Sequence, residues 1–113
     1  MPFALNESTR FISPTKTPEF LAAGVPVVST PIVDVVRPYG EQQLVQIAEG
    51  ADAFVREAEK LLHARRKGWL RAVDHHLAGT SWDLTWAGMH ALIQQLTDTT
   101  SRTVLPDLGV FHV

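Results

Sequence analysis

Lys16 and Glu19 stand three residues apart in SPTKTPEFLAAGVPVVST, the stretch from Ser13 to Thr30. On a helix that spacing puts an ammonium and a carboxylate on neighbouring positions of one turn. An ammonium there can neutralise a phosphate, and a carboxylate can accept from a pair of hydroxyls such as those of a ribose. The amide of Asn6 and the hydroxyls of Ser8, Thr9, Ser13 and Thr15 are further donors that suit phosphate oxygens. A strand that leads through a loop into a helix presents unpaired N–H groups at the carboxyl edge of a sheet, where α/β folds bind phosphates. These residues are therefore candidates for a nucleotide cradle. The alternative is a serine cap, a proline in the first turn and a glutamate that complements the helix dipole. Side-chain direction separates the two. If Lys16 and Glu19 both open into one pocket, the nucleotide readings gain; if either is tied down in a structural salt bridge, a non-enzymatic α/β interaction module gains.

Three other groupings carry less chemistry. Arg65, Arg66 and Lys67 form the one basic cluster, and cations at a helix C-terminus are favoured by the dipole alone. Asp74, His75 and His76 are consecutive. Adjacent helical residues diverge, whereas ligands of one ion recur at three or four, so no metal site is expected. Trp82, Trp86 and Met89 fall on one helical stripe and are read as core. No residue is singled out as a catalytic nucleophile, acid or base.

The elements that must position the cradle follow from local pattern. PFAL (Pro2 to Leu5) predicts a buried strand ending in the polar run NESTR. A short helix opens at Thr15 or Pro18 and closes at Ala23 before Gly24 and Pro26. Val25 to Ser29 is a β-branched run apolar on both faces, as in a covered parallel strand, and LVQIA (Leu44 to Ala48) predicts a third. The core of the first unit is assigned to Phe20, Leu21, Val25, Val27 and Val28. Helices follow over Ala51 to Lys67, over Trp69 to Leu77, and from TSWD, where Thr80 and Asp83 have the spacing of a capping box. The tail from position 98 to 113 is read as irregular or extended. The order is that of an α/β fold: half of a Rossmann-like domain, with about three parallel strands and a helical C-terminal part.

Composition narrows the partners. At 113 residues one small domain is expected, and a net charge of −2 gives no footprint for nucleic acid. Without cysteine there is neither a disulfide framework nor a thiolate metal site. MPFALNESTR lacks the basic start and apolar run of a secretory signal, and no stretch approaches a membrane span. A soluble, cytoplasmic protein is the expectation.

The string from Ser13 to Thr30 resembles the nucleotide-sugar binding segment of GT-B fold glycosyltransferases of the group 1 type (family 4). Their second Rossmann-like domain carries a pattern of the form P-x-K-x-x-E-[FY]-L-A-x-G-x-P-V-V, matched here by Pro14, Lys16, Glu19, Phe20, Leu21, Ala22, Gly24, Pro26, Val27 and Val28. Asn6 and Thr9 fall at matching places in the preceding loop, and SWDLTW resembles the start of the family's closing helix. The similarity spans roughly residues 1 to 97, dense in the first 30.

The resemblance implies that Glu19 accepts from ribose hydroxyls while Lys16 and the loop before it face the diphosphate of a UDP- or GDP-sugar, the donor of a retaining transfer. No other cofactor and no metal are implied. Two positions depart from the pattern: Phe11 stands where many members have a second glutamate, and Pro18 replaces an aliphatic residue, which would move the cap to Thr17 and leave Lys16 on the loop. Residues 1 to 97 would then be part of a C-terminal donor-binding domain, inactive by itself and partnered by an N-terminal acceptor domain or by a second copy of the chain. Two other readings stay open, a non-catalytic α/β interaction module and a regulatory domain that binds free nucleotide. A bare PFAL edge and the Trp82, Trp86 and Met89 stripe both point to self-association.

Overall fold

The computed structural model describes the backbone of residues 1–104 and the side chains of residues 1–99. The chain divides after Ala78 into two units. In the first, α1 (Lys16–Ala22) precedes β1 (Val28–Ser29), the single turn α2 (Val33–Val35) and a wide turn (Val36–Gly40) lead to β2 (Gln46–Ile47), and α3 (Ala51–His63) and α4 (Lys67–Ala78) follow. The second holds α5 (Trp82–Val104). The architecture is α/β, mostly helical, around a two-stranded parallel sheet with Val28 opposite Gln46 and Ser29 opposite Ile47.

PFAL is not a strand, and hydrogen bonding explains why. The Met1 nitrogen donates to Val28 O at 2.7 Å and the Thr30 N–H donates to Met1 O at 3.3 Å, the two bonds of one parallel bridge. The ladder stops there. The Phe3 N–H turns back to Met1 O at 3.2 Å, and Pro31 has no N–H to donate. The Thr30 hydroxyl donates to Phe3 O at 2.9 Å instead. One residue of the opening segment thus pairs in parallel with β1.

β1 also begins later than its β-branched pattern suggests. Gly24 N–H donates to Leu21 O at 2.9 Å and Val25 N–H to Phe20 O at 2.9 Å, with Gly24 at φ +70°. These are the two bonds of a Schellman cap, so Val25 belongs to the end of α1 and not to the strand. An L side chain at 24 would adopt a strained backbone and meet Leu70 Cδ2 at 3.4 Å. Gly24→Ala is expected to lower the unfolding free energy by about 1 kcal/mol; a urea melt indistinguishable from wild type would show that the cap is dispensable.

The core takes Leu21 from α1, Val27 before β1, Val35 from α2, Val45 before β2 and Val73 from α4. Val28 is buried as well, whereas Phe20 and Val25 are 38% and 46% exposed. Thr17 takes the place expected of Phe20: one turn before Leu21, it lies on the same face of α1 and is fully buried. On α4, Trp69 donates its indole N–H to Leu44 O at 2.9 Å, fastening that helix to the segment that enters β2.

Five boundaries differ from the pattern-based ones. α1 opens at Lys16, not at Pro18, because proline in a first turn removes an N–H that has no helical acceptor anyway. α3 ends at His63 and α4 begins at Lys67, so Lys67 sits at a helix start, where the dipole reading of the basic cluster does not hold for it. The cap of α5 is Ser81, whose Oγ accepts from the Leu84 N–H at 3.1 Å, rather than Thr80. Positions 98–104 are helical, while the remainder of the tail, from 105, lies outside the described residues.

The stripe on α5 is not core. Trp82 is 86% exposed, and Trp86 and Met89 are exposed too. Among the described residues no helix is long and apolar enough to cross a membrane.

Candidate functional site

The Met1 bridge fixes the direction of the opening segment, which runs parallel to β1. The loop after it and the loop after β1 therefore leave from the same, carboxyl end of the sheet. The chain between two parallel segments must return to the opposite end, and α1 makes that return, so its first turn starts near the end where both loops emerge. In open α/β sheets that end is the binding edge.

An open pocket of about 290 Å³ lies between these loops, with Asn6, Thr9 and Arg10 on one wall and Pro31, Ile32 and Val33 on the other. Asn6 and Thr9 hold each other reciprocally. The Asn6 N–H donates to Thr9 Oγ1 at 3.1 Å, the Thr9 N–H donates to Asn6 Oδ1 at 3.0 Å, and the Thr9 hydroxyl donates to Ala4 O. The hydroxyl proton of Thr9 is thereby committed to the backbone. What the loop offers a ligand is the amide nitrogen of Asn6 and the guanidinium of Arg10.

Arg10 went unremarked in the sequence. Its guanidinium carbon lies 5.4 Å from the centroid of the Phe11 ring, a cation–π distance, and among the described residues no carboxylate pairs with it. The signal was available: Arg10 follows Asn6 and Thr9 in the same loop, and a cation at the carboxyl edge of a parallel pair is the side chain phosphate chemistry needs.

Lys16 and Glu19 bind each other, with Nζ to Oε2 at 3.0 Å. Their side chains are 67% and 59% exposed, and neither lines the pocket. An ion pair so exposed is worth about 0.2–1 kcal/mol and does not tie either residue down. Ser13 and Thr15 are exposed on the connection into α1, also outside the pocket. The candidates thus fall into two sets: Asn6 and Thr9 in the pocket wall, and Ser13, Thr15, Lys16 and Glu19 at the approach to α1 and its first turn.

His76 stacks edge-on against Tyr39, ring centroids 5.3 Å apart, and its Nδ1 lies 2.9 Å from Gln42 Oε1. Burial pushes the Tyr39 hydroxyl above its ordinary value and the Met1 ammonium below its own. No group of three or more metal-ligating side chains occurs among the described residues.

Comparison of the chain with protein-family models, with curated proteins and with solved structures gave no match.

Proposed function

We propose that the chain is the donor-binding portion of a retaining nucleotide-sugar glycosyltransferase, which holds the diphosphate of a UDP- or GDP-sugar and does not complete transfer alone. The observation that carries this reading is the pocket at the carboxyl end of the parallel pair, walled by the Asn6–Arg10 loop. A nucleoside diphosphate laid there meets the Arg10 guanidinium, a planar donor suited to phosphate oxygens. Its ribose reaches Glu19, and Lys16 swings from Glu19 to the phosphate. Separating that exposed pair costs less than about 1 kcal/mol, whereas each hydrogen bond to a charged group returns about 1.5–3 kcal/mol. The ion pair is therefore no barrier to either role. With seven residues in α1 the helix adds little field of its own, and the cations carry the phosphate. An acceptor domain, or a second copy, completes the transfer site.

Titration calorimetry with UDP tests the reading. The wild type is expected to bind near millimolar, about −4 kcal/mol, with Glu19→Ala weakening binding about tenfold and Arg10→Ala removing the heat. A signal indifferent to both substitutions would remove the site.

A second reading, a non-catalytic interaction module, is favoured by two observations: Lys16 and Glu19 bond to each other and do not open into the pocket, and the apolar stripe of α5 is exposed along its described length.

A further inference from the structure

Trp82, Trp86, Met89, Ile93 and Leu96 are all more than half exposed. Their successive spacings of four, three, four and three residues make the 3.5-residue period that seats one helix against another. At 100° per residue these five side chains, with Leu92, fall within about 120° of the helix circumference. The pattern is that of an amphipathic helix with one face to cover. A helix that lies on a membrane surface carries several Lys or Arg along its polar face, whereas α5 has a single cation, Arg102, in its last turn.

We infer that α5 pairs with α5 of a second copy of this chain, through a two-fold seam formed by these five residues. Three features select a copy of itself as the occupant. The seam holds no ionisable residue: Asp83, His90 and Asp98, the only ones over 82–99, lie on one flank, so two identical faces meet without opposed like charges. A two-fold contact uses the same patch twice and so requires this self-complementarity. All five side chains are more than half exposed, so pairing takes apolar surface out of water along the whole seam. His90, whose ring centroid lies 5.5 Å from that of Trp86, edges the seam. The pairing is independent of nucleotide binding.

Size-exclusion chromatography with light scattering, on the full chain at 1 to 100 µM (a range of order-of-magnitude choice that brackets weak association), tests it. The wild type is expected to pass from monomer to dimer across that range with a blue shift of tryptophan emission. Met89→Glu and Ile93→Glu, each at the centre of the seam, are expected to weaken association at least tenfold. Gln94→Glu, outside the seam on the flank that carries Asp83 and Asp98, is expected to leave it unchanged. Amide spectra of residues 1–78 report whether the first unit remains folded in each variant. A wild type that stays monomeric at the highest concentration, a dimer that survives both glutamates, or loss of the dimer on Gln94→Glu would overturn the inference, and so would association only in the presence of neutral phosphatidylcholine vesicles.

Discussion

Trp69→Ala is expected to lower the unfolding free energy of the first unit by about 3 kcal/mol, the lower end of the range for removal of a large aromatic from a core, since Trp69 is half-buried against the core. Two losses combine. The indole packs against the core, and its N–H is the donor to Leu44 O, a carbonyl at the entrance to β2. A unit of this size is stable by roughly 4–12 kcal/mol, so the substitution removes much of what holds it folded. Trp69→Phe separates the contributions, since it keeps most of the apolar area and deletes only the hydrogen bond, at about 1 kcal/mol. Urea melts followed by far-ultraviolet circular dichroism measure both. Equal midpoints for the alanine variant and the wild type would mean that α4 is not fastened through this residue.

The second large effect falls on α1. Leu21→Ala is expected to destabilise by about 2–5 kcal/mol, because Leu21 is 1% exposed in the cluster that α1, α2 and α4 share. The consequence is local as well. A seven-residue helix has no stability of its own in water, and α1 is held through Thr17 and Leu21 alone among its buried residues. Loss of Leu21 should release the turn that carries Lys16 and Glu19. The variant is therefore expected to lose the UDP response even at temperatures where the rest of the unit stays folded. Melting and titration on the same sample check this, and an unaltered titration in a destabilised protein would show that α1 plays no part in binding.

Much of this arrangement was legible in the sequence. The α/β order and the parallel relation of VPVVS to LVQIA follow from β-branched runs apolar on both faces, and α1 follows from a proline in its first turn and a glycine past its end. Strand lengths were not legible. Hydrophobic pattern marks which residues favour extension, but Val25 is claimed by the Schellman cap and Phe3 by a turn back to Met1, and both decisions depend on backbone partners that pattern does not specify. The Trp82 stripe shows the same limit from the other side: a periodic apolar face states that something must cover it, and gives no sign whether the cover belongs to the same chain. At the site, Asn6 and Thr9 were found from the company they keep. Arg10, the one cation of the polar run NESTR, carries no periodic mark; its place after Asn6 and Thr9 is the only signal, and the meeting of the two loops around the pocket gives that place its meaning.

The reciprocal bonds between Asn6 and Thr9 bear on how this loop can vary by descent. Each side chain accepts from the other's backbone N–H, so a change at either position hands an exposed amide to water and loosens the turn between them. Aspartate at 6 or serine at 9 preserves the exchange. Arg10 takes no part in it with its side chain, so its loss would leave the loop standing while removing the charge from the pocket wall.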